Sequence, residues 1–514
     1  MTGSFFKSHR SIVLLFLVLL STSIHAADKD RLVILADMGN EPDEEQQIAH
    51  MLMCSNEFEI EGLIAVTGKY IHPGLKKPYK QVVHPELFVK LIDAYEKVLE
   101  NLRLHAEGWP EPARLRRLVV AGQSGYGIAD IGEGKSSPGS DLLLDLFLKD
   151  DPRPIWIVLN AGANTLGQAL DEFRRAHSRE ELDRIVAKLR VFENGAQDNA
   201  GAWICSEFPK IHWIRSNFQT YAYGGPGGAD GDIHTSDFDK LGPYFWQPYA
   251  YTTKGQHDWL KEHVMTGHGA LGEVYPARAW GKNYAFMEGG GTIPWMGLVN
   301  KGLFDINHPG WGGWGGRFST EKVSCFWSRH YDIRKDEEKT APFYVYREVS
   351  DCWINPLDNK MISGDYVPVW RWRESMFSDF KCRMDWCVKS YAQANHHPVA
   401  AVGNDNSDQI IHMTALPGEI LSFNAANSSD PDGDSISYTW WQYVEAGTYA
   451  GNVLISDPTH PETQVEIPSG AAGCQLHIIL EIKDDHAIGS LFDFRRVVID
   501  VDRVYDHKNL FGQK

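Results

Sequence analysis

The stretch Arg31-Leu-Val-Ile-Leu-Ala-Asp-Met-Gly-Asn-Glu-Pro-Asp-Glu-Glu45 decides the fold predicted for this chain. Its first six residues form a short, mostly apolar run that is typical of a buried strand. Pro42 follows at a position that suits the first turn of a helix, where its missing N–H costs nothing. Apolar residues then recur at helical spacing through Leu52. The stretch therefore predicts a strand, a short acidic loop and a helix.

The same alternation continues along the chain. Further apolar runs of strand length, with helical patterns between several of them, are Ile60–Val66, Leu118–Ala121, Ile155–Leu159, Leu189–Phe192 and Ile211–Arg215. Strands that alternate with helices predict an α/β fold, a mostly parallel sheet with helices on both faces. We expect residues 30–394 to form this domain. In such sheets, ligands bind beyond the carboxyl ends of the strands.

The pattern changes after about residue 395. Short strands follow, and from Leu476 to Lys483 apolar and polar residues mostly alternate, as in a half-buried antiparallel strand. Asp430-Pro-Asp-Gly-Asp434 is typical of a turn, with weak Ca²⁺ binding as an alternative. Trp440 and Trp441 are adjacent, so on a strand they face opposite sides. Residues 395–503 are therefore predicted to form an immunoglobulin-like β-sandwich.

Composition excludes several classes of protein. The chain has 514 residues, 43% of them hydrophobic and 23% charged, which excludes a disordered chain or a coiled-coil rod. Its formal net charge of −18 argues against nucleic acid as a partner, because nucleic-acid binding needs clustered Lys and Arg. The seven cysteines are an odd number, so at least one stays unpaired in a monomer.

Residues 1–26 have the layout of a secretory signal peptide. Lys7 and Arg10 precede the apolar run Ile12–Leu20, and Ala26 offers a small residue at a cleavage point. The run is shorter than the ~20 residues that span a bilayer. We expect the mature protein to be secreted or periplasmic, with no membrane partner.

The acidic loop is the main candidate for chemistry. Asp37 should lie at the carboxyl end of the first strand, and Asp43 and Glu44 in the first turn of the helix. Carboxylate oxygens at this density favour Ca²⁺ or Mg²⁺, and a carboxylate beside a metal can take a proton from water. Acids in a first helical turn also complement the helix dipole, which is an alternative for Asp43 and Glu44 but not for Asp37.

Several motifs together carry a resemblance to a known family. The loop Asp37–Glu44 resembles the acidic fingerprint of nucleoside hydrolases, with two residues inserted. Ile60–Thr67 and Asn160–Leu170 are similar to two further strand segments of those enzymes. Trp311-Gly-Gly-Trp-Gly-Gly-Arg-Phe318 is similar to an exported family that combines a nucleoside-hydrolase-like domain with a C-terminal sandwich. Some members of that family are described as cellulose-binding.

The resemblance implies roles for individual residues. It makes Asp37 a metal ligand and the general base, and Asp43 and Glu44 further ligands, one of them also on the sugar hydroxyls. Asn164 falls where the enzymes offer a backbone carbonyl to the metal, and Lys69 near a sugar-binding Asn. The implied cofactor is Ca²⁺.

Other positions depart from the family or are less specific. Asp198 and Asn199 follow a predicted strand end and are equally typical of sugar-binding residues and of a polar turn. The family tends to place an Asp where this chain has Gly290, which leaves Glu288 as the nearby acid for the metal. His308 is a candidate acid for the leaving group, although a His beside Pro is often structural.

Two functions remain open from the sequence. The first is a hydrolase of N-glycosidic, ribosyl-type or related sugar bonds that uses metal-bound water. The second is a carbohydrate- or cellulose-binding accessory protein that kept the fold without the chemistry. Trp311 and Trp314 favour the second if their rings stack on sugars; the alternative is a glycine-rich loop packed over the sheet. The expected ligand is a small sugar-containing substrate or a polysaccharide.

Overall fold

The computed structural model describes residues 29–195, 197–217, 219–222, 253–276, 278–280, 284–286, 290–300, 302–324, 340–354 and 361–503. The predicted signal peptide and Glu288 lie outside these residues. Within them no helix is long and apolar enough to cross a membrane. The six cysteines among them are free thiols.

The described strands are, in chain order, β1 Arg31–Ala36, β2 Glu59–Ala65, β3 Val119–Ala121, β4 Ile155–Leu159, β5 Leu189–Asn194, β6 His212–Ser216, β7 Arg278–Trp280, β8 Tyr284–Phe286, β9 Phe318–Val323, β10 Phe343–Glu348, β11 Asp351–Ile354, β12 Met361–Gly364, β13 Ile411–Ala415, β14 Ile420–Asn424, β15 Ile436–Gln442, β16 Leu454–Ile455, β17 Glu462–Glu466, β18 Gln475–Asp484 and β19 Phe492–Val501.

The described α-helices are α1 Pro42–Met53, α2 Glu86–Leu102, α3 Pro112–Arg117, α4 Pro138–Leu148, α5 Ala163–Ala176, α6 Arg179–Lys188, α7 Ala200–Glu207, α8 Thr253–Leu260, α9 Gly269–Val274, α10 Ile293–Met296, α11 Val367–Trp370 and α12 Arg373–Trp386. Helix α12 ends at Trp386, and a separate short turn covers Tyr391–Gln393.

The main sheet has eight strands in the order β3-β2-β1-β4-β5-β6-β10-β9. Seven of them run parallel, and β9 joins the edge antiparallel to β10. From β1 the chain adds β2 and then β3 on one side of the sheet. It then returns to the other side of β1, where it adds β4, β5 and β6 in turn. The gap between the ends of β1 and β4 is therefore the point where the strand order reverses, the usual place for a ligand site.

Both faces of this sheet are covered, as predicted. Leu32 and Ile34 of β1 belong to one hydrophobic core, and Val33 and Leu35 belong to another. Helices α1, α2 and α12 contribute to the first core, and α4, α5, α6 and α7 to the second. Because alternate residues of a strand point to opposite faces, a strand buried on both faces reads as a continuous apolar run.

The C-terminal region is a two-sheet β-sandwich, which confirms the predicted fold class. One sheet has the order β13-β19-β18-β15 and the other β14-β17-β16, with a separate apolar core between them. Trp440 points into this core and is 1% exposed, whereas Trp441 on the opposite face is half-buried. The junction before the sandwich is packed, because Asn395 and His396 are buried and bond to Asp484 and Asp432.

Gly162 lets β4 turn into α5 next to β2. Its φ is +67°, and a Cβ at this position would lie 2.3 Å from the Cβ of Val66. We expect Gly162→Ala to lower the free energy of unfolding by roughly 2–5 kcal/mol, from the unfavourable φ plus the clash. Gly134 is the matched control, since its φ is +73° with open space around it. Urea unfolding checks both variants; equal losses for the two would contradict the close approach at Val66.

Candidate functional site

Polar side chains collect where the parallel strands end. Asp37 follows β1, Thr67 follows β2, Asn160 follows β4 and Asp198 comes shortly after β5. All of these strands run in the same direction, so their carboxyl ends meet at one edge of the sheet. Asp37 and Asn160 lie on either side of the point where the strand order reverses. We call Asp37, Asp43, Glu44 and Asn160 the acidic site.

Asp37 is the most unusual residue of this site. Its side chain is fully buried, and neither carboxylate oxygen receives a hydrogen bond from another described residue. Burial and then the charge of Asp43 raise the pKa of Asp37 well above its ordinary value. A buried carboxylate without partners is costly to a fold and marks a place where an ion, a water or a substrate proton belongs.

Glu44 is held beside Asp37 by amide groups. Its Oε2 accepts hydrogen bonds from Nε2 of Gln47 at 2.7 Å and from Nδ2 of Asn160 at 3.2 Å. Nε1 of Trp295 donates to Oε1 of Gln47 at 3.1 Å and so orients that amide. Burial, then Asp43 and Asp37, raise the pKa of Glu44 well above its usual range. The three acids therefore act on one another electrostatically.

The oxygens of the site suit a hard cation. Besides the two of Asp37, the side-chain oxygen of Asn160 is buried and accepts no hydrogen bond from a described residue, and the same holds for Asn164 at the start of α5. Carboxylate and amide oxygens are the ligands that Ca²⁺ takes. Asp37, Asp43 and Glu44 do not bring one oxygen each within 4.8 Å of one another, so a shared ion would draw their side chains closer together.

Lys80 supplies the positive charge of the loop. Its ammonium donates to the carbonyl oxygen of Gly39 at 3.0 Å, to Oδ1 of Asn40 at 3.1 Å and to the carbonyl oxygen of Asn40. Its charge lowers the pKa of Asp37, against the stronger effects of burial and Asp43. The sequence analysis missed Lys80 and Gln47, because neither stands in a motif.

The segment with Gly290 and Gly291, where the resemblance implies an Asp, also reaches the acidic site. A Cβ on Gly291 would lie 2.7 Å from the amide of Gln47 and 2.8 Å from Nδ2 of Asn160. A Cβ on Gly290 would meet no described atom closer than Nδ2 of Asn194, at 3.8 Å. Residues 290 and 291 thus border the acidic site and supply no carboxylate to it. Glu288, which is predicted to bind the metal, lies outside the described residues.

Three predicted residues bond within the loops around the site. The carboxylate of Asp198 accepts from the backbone N–H groups of Asn164 at 3.0 Å and Ala200 at 2.9 Å, and burial raises its pKa to about 6. Oδ1 of Asn199 accepts from the N–H of Ile128 at 2.8 Å. The N–H of Lys69 donates to the carbonyl of Gln197 at 2.7 Å. These contacts fit the polar-turn alternative for Asp198 and Asn199, and their sugar contacts stay a prediction.

The structure does not bring His308 to the acidic site. Its Nδ1 lies 2.9 Å from Oδ2 of Asp305, and the neighbouring Asn307 accepts from the guanidinium of Arg190 at 2.7 Å. Arg190 is at the amino end of β5. His308 therefore lies at the opposite edge of the sheet from Asp37. This correction removes His308 as an acid for a leaving group at the acidic site.

Trp311 and Trp314 are buried, at 7% and 3% exposure. The Trp311 ring stacks on His308 with centroids 4.0 Å apart and meets the ring of His477 on the sandwich at 5.1 Å. Trp314 belongs to a core of the first domain. A ring that stacks on a sugar must be accessible, so these positions correct the predicted platform and agree with the alternative of a packed glycine-rich loop.

Comparisons with known proteins agree with this architecture. The family described as "Cellulose-binding Sde182, nucleoside hydrolase-like domain" matches residues 31–318, and "Cellulose-binding protein Sde0182, C-terminal domain" matches residues 420–501. No curated protein matches the chain.

Among solved structures, the chain is similar to a nucleoside hydrolase-related hypothetical protein from Saccharophagus degradans that is associated with carbohydrate metabolism. The identity is 35%, the alignment covers 92% of this chain and 100% of that one, and the TM-score is 0.74. The type III effector XopQ, solved with adenosine diphosphate ribose, aligns over 62% of this chain and 88% of its own, at 10% identity and a TM-score of 0.27. That second likeness is too low to carry an inference. On the family match and the 35% identity, the chain belongs to the cellulose-binding Sde182 family with a nucleoside hydrolase-like domain.

Proposed function

We propose that this protein is an exported hydrolase that cleaves an N-glycosidic, ribosyl-type bond or a related sugar bond at the acidic site, with Ca²⁺ as cofactor. One observation carries the proposal. Asp37 is fully buried at the reversal point of the sheet, and no other described residue donates a hydrogen bond to either of its oxygens. Such a carboxylate destabilises the folded state, so its presence at this position indicates a functional role.

Asp37 acts as the general base in this proposal. It takes a proton from the attacking water while the sugar passes through an oxocarbenium-like transition state. Burial and Asp43 raise the pKa of Asp37 in the protein without the ion, and a bound cation would favour the deprotonated form that a general base needs. Asp43 is half-buried, which leaves it able to accept hydrogen bonds from sugar hydroxyls.

The cation would be held by Asp37, Asp43, Glu44 and the amide oxygens of Asn160 and Asn164. When bound, Ca²⁺ polarises its ligands and offsets the repulsion among the acids. Glu44 is fixed by Gln47 and Asn160 through one oxygen, Oε2, so Oε1 is the atom that would face the ion. The ligand role that the resemblance implies for the backbone carbonyl of Asn164 stays a prediction; its side-chain oxygen, which accepts no hydrogen bond from a described residue, is a further candidate.

A carbohydrate-binding accessory role is the second candidate. It is favoured by Gly290 and Gly291, which border the acidic site without supplying a carboxylate. The family's description as cellulose-binding points to a polysaccharide as the ligand. An exported location, secreted or periplasmic, suits either candidate, because polysaccharides lie outside the cell.

We expect Ca²⁺ to stabilise the protein, because an ion that binds only the folded chain shifts the unfolding equilibrium. At 100 times the dissociation constant the gain is about 2.7 kcal/mol. Differential scanning fluorimetry in Ca²⁺ and in EGTA measures it. Asp430, Asp432 and Asp434 bring their oxygens within 4.8 Å of one another and are a second place for an ion. Asp432→Asn is therefore the control, and a Ca²⁺ response that vanishes in it would contradict the acidic site as its source.

The test of hydrolysis is direct. Purified protein is incubated with a nitrophenyl riboside, with a panel of nucleosides and with insoluble cellulose, in Ca²⁺ and in EGTA. Release of nitrophenol or base that stops in EGTA supports the hydrolase. Retention on cellulose without any release of product supports the accessory protein instead.

A further inference from the structure

A cleft of about 700 Å³ lies between the sandwich and the first domain, and none of its lining residues belongs to the acidic site. Trp441 on β15, Glu481 on β18 and Phe492 on β19 form the sandwich wall. Arg371, which lies between α11 and α12, and Glu374, in the first turn of α12, line the facing wall. We call this space the aromatic cleft. Its volume is within the range of small-molecule sites.

Trp441 is held in place on the cleft wall. Its ring centroid lies 5.6 Å from that of Trp372 and 5.5 Å from that of Tyr443, and the guanidinium of Arg371 is 5.5 Å from the ring. The side chain is nevertheless only half-buried, so part of the ring faces the cleft. An aromatic ring fixed before binding costs little entropy when a ligand stacks on it.

Glu481 is the polar group that the fold leaves unused here. It lies opposite Thr439 in the pairing of β15 with β18, and no described residue donates a hydrogen bond to it. Burial, then the charge of Glu374, raise the pKa of Glu481 to about 7. Its carboxyl group is thus available to bond a ligand hydroxyl.

The charges of the cleft disfavour an anionic ligand. Arg371, the cation among the described lining residues, is paired with Asp351 at 3.3 Å, and Glu374 of the lining is paired with Lys483 at 2.7 Å. Glu481 has no such partner, so the charge left over is negative. A ligand with an apolar ring face for Trp441 and neutral hydroxyls for Glu481 fits this chemistry, and pyranose rings with equatorial hydroxyls have both.

We propose that the aromatic cleft binds a neutral, linear oligosaccharide of pyranose units, with one ring stacked on Trp441 and a hydroxyl bonded to Glu481. This inference gives the carbohydrate-binding candidate a place in the molecule, and it does not depend on hydrolysis at the acidic site. It assigns binding to Trp441, whose ring faces the cleft, whereas Trp311 and Trp314 of the first domain are buried.

Isothermal titration of the full-length protein with cellohexaose tests the proposal, with a hexamer of galacturonic acid as the charged comparator. We expect cellohexaose to bind and the acidic hexamer to bind far more weakly or not at all. Trp441→Ala should weaken binding roughly tenfold or more, as the loss of a central aromatic contact does. Trp203→Ala is the matched control, since Trp203 is also half-buried and lies 5.5 Å from the guanidinium of Arg174.

A second variant keeps the test informative if Trp441→Ala unfolds. Thr439 is exposed and opposite Glu481, so in Thr439→Arg the new guanidinium fills the cleft and pairs with the free carboxyl. We expect the same loss of binding with an unchanged circular dichroism spectrum. The proposal would be overturned if the wild type did not bind cellohexaose, if Thr439→Arg bound it with equal affinity, or if the acidic hexamer bound more strongly. Asp37→Asn should bind cellohexaose normally, so failure of the cleft and failure of the hydrolase are told apart.

Discussion

Asp37→Asn should reduce the hydrolysis of a nitrophenyl riboside by at least ~10²–10⁴-fold, the usual loss when a general base is removed. The amide keeps the shape of the side chain but accepts no proton at neutral pH. The same change removes an anionic ligand, so the stabilisation by Ca²⁺ should shrink as well. The measurement is turnover under saturating substrate, paired with melting curves in Ca²⁺ and in EGTA.

The thermal stability of Asp37→Asn shows whether Asp37 binds an ion or supports the fold. Asp37 accepts no hydrogen bond from a described neighbour, and Asp43 repels it. We therefore expect Asp37→Asn to melt no lower than the wild type in EGTA, because it removes a buried charge without breaking a bond. In Ca²⁺ the order should reverse. A variant that melts much lower in both buffers would mean that Asp37 supports the fold instead.

Asp493→Asn is the matched control for this experiment. Asp493 accepts from the N–H groups of Ala400 at 2.7 Å and Phe494 at 2.8 Å, and burial raises its pKa to about 6. It lies on the sandwich, so turnover should not change in Asp493→Asn. Full turnover in Asp37→Asn would end the catalytic assignment.

Gly290→Asp tests the same site in the opposite direction. The added Cβ would meet no described atom closer than Nδ2 of Asn194, at 3.8 Å, and the neighbouring Gly291 borders the acidic site. If the missing Asp limits the site, Gly290→Asp should lower the Ca²⁺ concentration needed for half of the thermal stabilisation. Half-stabilisation at a higher Ca²⁺ concentration than in the wild type would show that residue 290 does not face the ion.

The parts of this molecule that could be predicted are those encoded locally. A strand buried on both faces reads as an apolar run, so β1 and the neighbouring strands were found where the sequence indicated. The position of Asp37 followed, because a residue after a parallel strand must lie at the carboxyl edge. Trp440 and Trp441 on opposite faces followed from the two-residue period of a strand.

The parts that could not be predicted depend on packing between distant segments. Trp311 looked like an accessible ring among glycines, but His477 of the sandwich lies against it. His308 lies fewer than twenty residues after Gly291, which borders the acidic site. Between these two residues, however, the chain crosses to the opposite edge of the sheet. Lys80 and Gln47 act on the acidic site through contacts that no motif records.

Arg383→Met should be the most destabilising of the substitutions considered, because Arg383 joins α12 to the end of α1 deep in the core. Its guanidinium donates to Oδ1 of Asp379 at 2.8 Å, to the carbonyl of Met53 at 3.0 Å, to Asn56 at 2.9 Å and to Glu57 at 2.9 Å. Burial alone would raise the pKa of Asp379, but Arg383 lowers it below its usual range. Removal of the cation leaves the buried carboxylate of Asp379 with His397 alone, 3.0 Å away, and the loss of one partner of a buried ion pair costs about 3–5 kcal/mol.

The loss should be measured from the midpoint of urea unfolding, with Arg179→Ala as the control. Arg179 pairs with Asp183 at 3.0 Å on the surface, where such a pair contributes little to stability.

Arg383→Lys keeps the charge but cannot reach all four acceptors, so its loss of unfolding free energy should lie between those of Arg383→Met and Arg179→Ala. Asp379→Leu removes the carboxylate that Arg383→Met leaves in the core, so the double variant should be more stable than Arg383→Met alone. Because α1 carries Asp43 and Glu44 in its first turn, a loosened α1 should also weaken the Ca²⁺ response, whereas Arg179→Ala should leave it intact. A loss below about 1 kcal/mol in Arg383→Met would show that the buried pair does not anchor the helix that presents the acidic site.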